Sequence, residues 1–256
     1  MEKETNADRA ATLSGSPFSW IEARVVERTR SARYARVALE GSGLPHAVGA
    51  GQFILVRYGE DPCLPRAFSV MSAGDGTLDL FVKSEGRVRE KLSTCPIGTT
   101  FSVRGPYGTP YDRRIAADRP YVLVAGGSGI APMLFFAEQH PALFAASAYG
   151  FRTRDACDVL PGVPLIIEEV TGERAIDRVD SLWKPGYGIL ACGPESMLRA
   201  LARAYRSESH VYVSLEARVG CGIGTCLGCR VATSRGPKRI CVDGPLFSAE
   251  ELTWLT

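Results

Sequence analysis

Hydrophobic and polar positions alternate in short runs through the first hundred residues. WIEARVVERT (20–29), YARVALEG (34–41), GQFILVRYG (51–59), RAFSVMSA (66–73), GTLDLFVKS (76–84) and TFSVRGPYG (100–108) each read as a strand. Gly, Pro, Asp and Ser separate them, and short strands at this spacing predict an antiparallel barrel. After Asp118 the pattern changes. YVLVAGG (121–127), ALFAASAYGFR (142–152), VPLIIEEV (163–170) and YGILACGP (187–194) are continuous apolar runs, the mark of strands buried on both faces. IAPMLFFAEQH (130–140) and PESMLRALARAYR (194–206) have helical spacing, the second behind a proline start. Strands alternating with helices predict a parallel α/β sheet. The expected architecture is therefore an α+β multidomain chain. Residues 1–17 form a loose polar tail, 18–115 the barrel, 116–212 the α/β unit and 213–256 a small cysteine-bearing unit.

Composition narrows the classes of function. A hydrophobic fraction of 45%, a charged fraction of 23% and a net charge of +2 describe an ordinary globular protein, with no field that calls for nucleic acid or a membrane surface. Five arginines between Arg24 and Arg36 alternate with apolar residues and read as solvated strand faces rather than a phosphate patch. The uncharged run from Pro120 to Ala137 approaches the length of a membrane span, but GGSG and Pro132 break it into strand, turn and helix start. The polar start has no signal-peptide core, so a cytoplasmic protein with reduced thiols is expected. Eight cysteines in such a compartment point to metal or redox chemistry.

Half of those cysteines fall in GCGIGTCLGCRVATSRGPKRIC (220–241), spaced Cys221-x4-Cys226-x2-Cys229-x11-Cys241. The first three match the C-x4-C-x2-C run of plant-type 2Fe–2S proteins, with the fourth thiolate later in the chain. Interleaved glycines let backbone N–H groups approach cluster sulfurs. The alternative is a structural zinc site, which usually pairs two short cysteine knuckles. Cys63, Cys95 and Cys157 stand alone and read as ordinary buried thiols.

Two barrel segments suit a diphosphate. In RAFSV (66–70), Arg66 offers a forked, charge-assisted contact and Ser69 a hydroxyl. FVKSEGRVREKL (81–92) runs from strand through Gly86 into a helix starting near Val88, whose free N–H groups would meet a phosphate beside Lys83 and Arg89. A surface arginine and a strand hydroxyl are the plain alternative. AGGSGIAPM (125–133) sets Gly126, Gly127 and Gly129 between a buried strand and a helix, where backbone can approach a pyrophosphate; a tight turn without ligand is the alternative.

RAFSV resembles the Arg-x-x-Ser flavin motif of the ferredoxin–NADP reductase superfamily, and GPYG (105–108) matches the turn out of that superfamily's barrel. AGGSGIAPM and ACGPESML (191–198) resemble its two nicotinamide-side motifs. The whole order, with its short final cysteine gap and CVDGPLF, is similar to one branch: the electron-transfer subunits of type B dihydroorotate dehydrogenase. Ala67 stands where that family usually has proline, and Val88 and Arg89 where it usually has Gly-Thr.

The resemblance implies a flavin-binding barrel, a nicotinamide-binding α/β domain and an iron–sulfur domain. FAD contacts are implied at Arg66, Ala67, Phe68 and Ser69, and at Val82, Lys83, Ser84, Gly86, Val88 and Arg89. Nicotinamide contacts are implied at Gly126, Gly127, Gly129, Pro132, Cys192, Gly193 and Pro194, with Cys192 near both rings, and cluster ligation at Cys221, Cys226, Cys229 and Cys241. No further catalytic side chain is expected, because the cofactors carry the chemistry. NAD(H) is the expected nicotinamide, although Arg152 and Arg154 could hold a 2′-phosphate. The implied role is a relay from NAD(H) through FAD and a 2Fe–2S cluster to an FMN-containing dihydroorotate dehydrogenase catalytic subunit of pyrimidine biosynthesis, in a heterotetramer. The alternatives are a reductase component for another flavoprotein or oxygenase, and a cluster-bearing adaptor without nicotinamide binding.

Overall fold

The computed structural model describes residues 19–59 and 64–255. The expected tail and Cys63 lie outside them. Six strands close into an antiparallel barrel: β1 (Ile21–Arg30), β2 (Tyr34–Glu40), β3 (Phe53–Arg57), β4 (Arg66–Gly74), β5 (Thr77–Lys83) and β6 (Thr100–Tyr107), in the order β1-β2-β5-β4-β3-β6. Alternation sorts the faces. Ala23, Val25, Val37 and Leu39 are buried inside, while Arg24 and Arg36 face outward and pair across the strands with Glu40 at 2.7 Å and Asp79 at 2.5 Å. Arg24, Arg28, Arg30 and Arg36 lie on strands, as the alternation predicts, whereas Arg33 stands in the turn between β1 and β2 and lines a cavity described below. Helix α1 (Arg87–Thr94) follows β5 and buries Val88 and Leu92.

The second sheet has the order β14-β11-β10-β7-β8-β9. β7 (Tyr121–Gly126), β8 (Phe144–Phe151), β9 (Leu165–Ile167), β10 (Gly188–Cys192) and β11 (Val211–Ser214) run parallel, and β14 (Leu246–Ser248) closes the edge antiparallel to β11. The uncharged stretch after Pro120 is β7, a tight glycine turn and helix α2 (Ile130–Gln139), and among the described residues no helix is long and apolar enough to cross a membrane. VPLIIEEV gives only the three residues of β9 before turning into a single helical turn, α3 (Glu168–Thr171). A second short turn, α4 (Val179–Leu182), precedes β10, and α5 (Glu195–Ala204) covers one face with Leu198, Leu201 and Ala202 inward.

The cysteine unit is an excursion from this sheet. Its chain leaves at β11 and returns at β14, with Ser214 opposite Leu246, and Leu215 N–H donates to the Pro245 carbonyl at 3.0 Å. β11 therefore runs across residue 212, where the sequence suggests a boundary. Inside the excursion lie a two-stranded ribbon, β12 (Arg230–Val231) with β13 (Lys238–Arg239), and the helical turn α6 (Ile240–Asp243). The end of β6 holds the unit against the barrel: Gly108 N–H donates to the Cys241 carbonyl at 3.1 Å and Thr109 N–H to that of Gly244 at 2.6 Å. Of the lone thiols, Cys95 is buried as expected. Cys157 is not: it caps a surface turn (Arg154–Ala156) on the connection from β8 to β9, and is exposed.

Candidate cofactor relay site

The barrel and the second sheet meet at a cavity of about 290 Å³. From the barrel come Ala67, Phe68 and Ser69 on β4 and Lys83 at the end of β5, with Arg89 from α1. Opposite them stands Cys192, the last residue of β10, together with Ser214, Leu215 and Glu216, where the chain leaves β11. Two observations suit a phosphate-bearing cofactor. Among the described residues the Ser84 hydroxyl is buried without a hydrogen-bond partner. Behind it Gly86 precedes the first turn of α1, which no side chain caps among the described residues, and a helix start of this kind presents N–H groups to an anion. The apolar wall and this donor set fit a flavin dinucleotide.

A second cavity of about 410 Å³ adjoins the first. Gly126, Gly127, Gly193 and Pro194 line it, with Arg33, Arg152, Arg174 and Glu168 further along. The loop after β7 and the turn after β10 touch closely here. A Cβ on Gly129 would lie 2.2 Å from the Cys192 carbonyl oxygen, so only glycine permits this packing, whereas Gly127, at φ +56°, faces open space. Lys83, Ser128 and Glu216 belong to the walls of both cavities. Any two ligands in them are neighbours.

Electrostatics at the junction are shaped by limited hydration. Burial pushes the Cys192 thiol well up, and the Glu216 carboxylate adds to it. The thiol stays neutral and serves as a wall, not a nucleophile. Burial also raises the Glu216 carboxyl, against the pull of Arg89 and Ser128. Its side chain is nonetheless accessible, because what it opens onto is the cleft.

The four predicted cluster thiols lie in one unit and stand as two pairs. The Cys226 N–H donates to Cys221 Sγ at 3.4 Å. Burial works against the Cys221 thiolate, but the N–H groups of Cys226 and Ile223 and the Thr225 hydroxyl outweigh it and bring the thiol down to about 6. Cys241 lies beside Cys229, and burial followed by that neighbouring thiol holds it up at about 12. Among the described residues no three His, Cys, Asp or Glu side chains converge on one point, as a single zinc ion requires. A 2Fe–2S core binds two thiolates at each of two irons. Two thiol pairs, three thiols on the loop and Cys241 on α6, suit that core. A Cβ on Gly222 (φ +78°) would meet the Tyr107 ring at 2.7 Å, so glycine lets the loop lie flat on the barrel.

Comparison with known proteins bears on the barrel, the cysteine unit and the fold as a whole. Residues 24–111 match the model of an oxidoreductase FAD-binding domain, and residues 216–253 match that of the iron–sulfur cluster binding domain of dihydroorotate dehydrogenase B. The dihydroorotate dehydrogenase B (NAD(+)) electron transfer subunit of Caldanaerobacter subterraneus subsp. tengcongensis is 31% identical over 248 residues, which cover 91% of this chain and 98% of that protein. The chain belongs to this family. Another of these electron transfer subunits, from a Geobacillus species, is 33% identical over 79% of this chain and 86% of its own. Among solved structures, the NADH-dependent reduced ferredoxin-NADP oxidoreductase superposes with a TM-score of 0.77 at 25% identity, covering 94% of this chain and 92% of that one. The ferredoxin reductase of carbazole 1,9a-dioxygenase shares the fold at a TM-score of 0.61 and 21% identity, over 76% and 68% of the two chains.

The sequence-predicted residues of this electron transfer subunit are not all placed alike. Ala67, Phe68, Ser69, Lys83, Arg89 and Cys192 line the flavin-sized cavity. Val82 and Val88 are buried behind it, Gly86 starts α1, and Pro132 is packed inside α2. Arg66 is exposed at the start of β4, outside the cavity wall, and its Nη1 donates to the Leu64 carbonyl at 2.8 Å. Glu216 and Ser214 lie in no motif, yet Glu216 joins the two cavities together with Lys83 and Ser128, and Ser214 lines the first.

Proposed function

We propose that this oxidoreductase subunit relays electrons between NAD(H), FAD, a 2Fe–2S cluster and a catalytic subunit outside the chain, one that carries FMN and interconverts dihydroorotate and orotate. The observation that carries the reading is the neck of the cysteine unit. Leu215 and Pro245, which open and close that unit, line the same cavity as Ala67, Phe68 and Ser69. A flavin there stands between the nicotinamide cavity and the cluster loop.

In this reading residues 18–115 bind FAD through Arg66, Ala67, Phe68 and Ser69, through Val82, Lys83 and Ser84, and through Gly86, Val88 and Arg89 at the helix start. Residues 116–212 bind NAD(H) at Gly126, Gly127, Gly129, Pro132, Cys192, Gly193 and Pro194. Residues 213–256 bind the cluster at Cys221, Cys226, Cys229 and Cys241. The bound groups supply the conversion of a two-electron hydride into single electrons. The side chains orient them: Gly127 leaves room for a pyrophosphate, Cys192 closes the floor of the cleft, and Ser128 with Glu216 forms the partition. The loop tip, Thr225–Gly228, is exposed, and Leu227 there is 54% accessible at φ +58°. We assign it to docking the catalytic subunit in a heterotetramer.

An anaerobic titration of the purified protein with NADH tests this, followed by absorbance and EPR. Bleaching of FAD followed by a reduced 2Fe–2S signal is expected. Flavin that stays oxidised defeats the nicotinamide assignment. Failure to co-elute with the dihydroorotate dehydrogenase catalytic subunit of the same genome defeats the partner assignment.

A further inference from the structure

Trp20, just before β1, is held between two arginines. The Arg57 guanidinium carbon lies 4.3 Å from the indole centroid and that of Arg104 lies 4.7 Å from it. Arg104 continues past the indole: its Nη2 donates to the carbonyl oxygen of Cys221 at 2.9 Å, and the guanidinium lies 5.9 Å from the centre of the Tyr107 ring on which Gly222 packs. Among the described residues neither Arg57 nor Arg104 is paired with a carboxylate, and the Nε of each is buried without a partner. Another arginine at the loop, Arg239, differs: it lies against Gly224 but is neutralised by Asp243 at 3.1 Å.

Two half-buried cations without a carboxylate are costly unless an anion compensates them. A 2Fe–2S core with four thiolates carries net negative charge, which grows by one on reduction. Charge and hydrogen bonds around such a core set its potential. Resting on the cluster assignment above, we propose that Arg104 is a positioning residue that anchors the cluster loop to β6 and, by its uncompensated charge, raises the reduction potential of the cluster, with Arg57 reinforcing it through Trp20. The flavin potential is largely independent of it, because Arg104 does not line the flavin cavity.

The test uses the full chain loaded with cluster and FAD. The cluster potential is followed by EPR, the flavin potential by absorbance and the loop by amide hydrogen exchange. In Arg104→Gln the cluster midpoint potential is expected to fall, the flavin midpoint to stay, and exchange over residues 221–228 to rise. Arg104→Lys keeps the charge but loses the fork, so the potential is expected near wild type while exchange still rises. Arg57→Gln, across Trp20, should lower the cluster potential by less, and it decides the question alone if Arg104→Gln does not fold. A wild-type protein with no 2Fe–2S signal would overturn the cluster reading and this role with it. A normal signal with an unchanged cluster potential in Arg104→Gln, or in Arg57→Gln where that variant decides, overturns the role of Arg104 alone.

Discussion

The hydroxyl of Ser128 donates to Oε1 of Glu216 at 3.4 Å. This contact ties the glycine turn after β7 to the exit from β11, at the partition between the two cavities. It places a titratable group where nicotinamide and flavin would meet.

That carboxyl gives a pH prediction. Burial raises its proton affinity above the ordinary glutamate value of 4.5, so it passes from neutral to anionic at a higher pH than a free glutamate. The rate of flavin reduction by NADH should show an inflexion above 4.5. In Glu216→Gln the inflexion should vanish, because the amide does not titrate, while the flavin spectrum is retained. Stopped-flow reduction across pH checks this, and identical profiles would remove Glu216 from the nicotinamide step.

The glycines after β7 separate packing from binding. Gly129→Ala drives a Cβ into the Cys192 carbonyl, an overpacking that costs about 1–3 kcal/mol. Its melting temperature should fall by several degrees, as read by calorimetry. Gly127→Val adds bulk to open cavity space. It should slow flavin reduction by NADH with the flavin still bound.

Cofactor retention distinguishes the two phosphate-directed segments. Loss of a charge-assisted contact costs about 1.5–3 kcal/mol, so Arg66→Ala should weaken FAD binding about ten-fold or more. Loss of a neutral hydrogen bond costs about 0.5–1.5 kcal/mol, so Ser84→Ala should weaken it less. Equilibrium rebinding of FAD to deflavinated protein measures both, and equal affinities in wild type and Arg66→Ala would leave Arg66 a surface charge.

Cys226 is the exposed member of its thiol pair. Cys226→Ser should lose most iron and acid-labile sulfide while FAD stays bound at the barrel. Metal analysis decides it, and zinc without labile sulfide in the wild-type protein would refute the cluster assignment.

The cysteine loop was readable in the sequence because its ligands are local: three thiols within nine residues, with glycines that the backbone path requires. The barrel strands were readable from alternation, since one face of each is wet. Glu216 and Ser214 were not. VYVS is a strand of only four residues, and it becomes one by pairing with Ile189–Cys192 on one side and Leu246–Ser248 on the other. A lone acid after so short a strand carries no local signature, and its setting is made by segments nearly ninety residues apart, as in the Ser128 contact. Arg66 shows the reverse case: the motif points to a ligand contact, while the side chain lies outside the cavity wall.

The pairing of Ser214 with Leu246 has a mechanical consequence. A module joined by one linker can swing, and transfer then waits for it to find its donor. Here both ends of the cysteine unit are clamped side by side in the edge of a sheet, and the residues after β6 grip it again at Cys241 and Gly244. No hinge is left. The gap an electron must cross is thereby fixed when the chain folds, and single-turnover transfer from flavin to cluster should be insensitive to solvent viscosity.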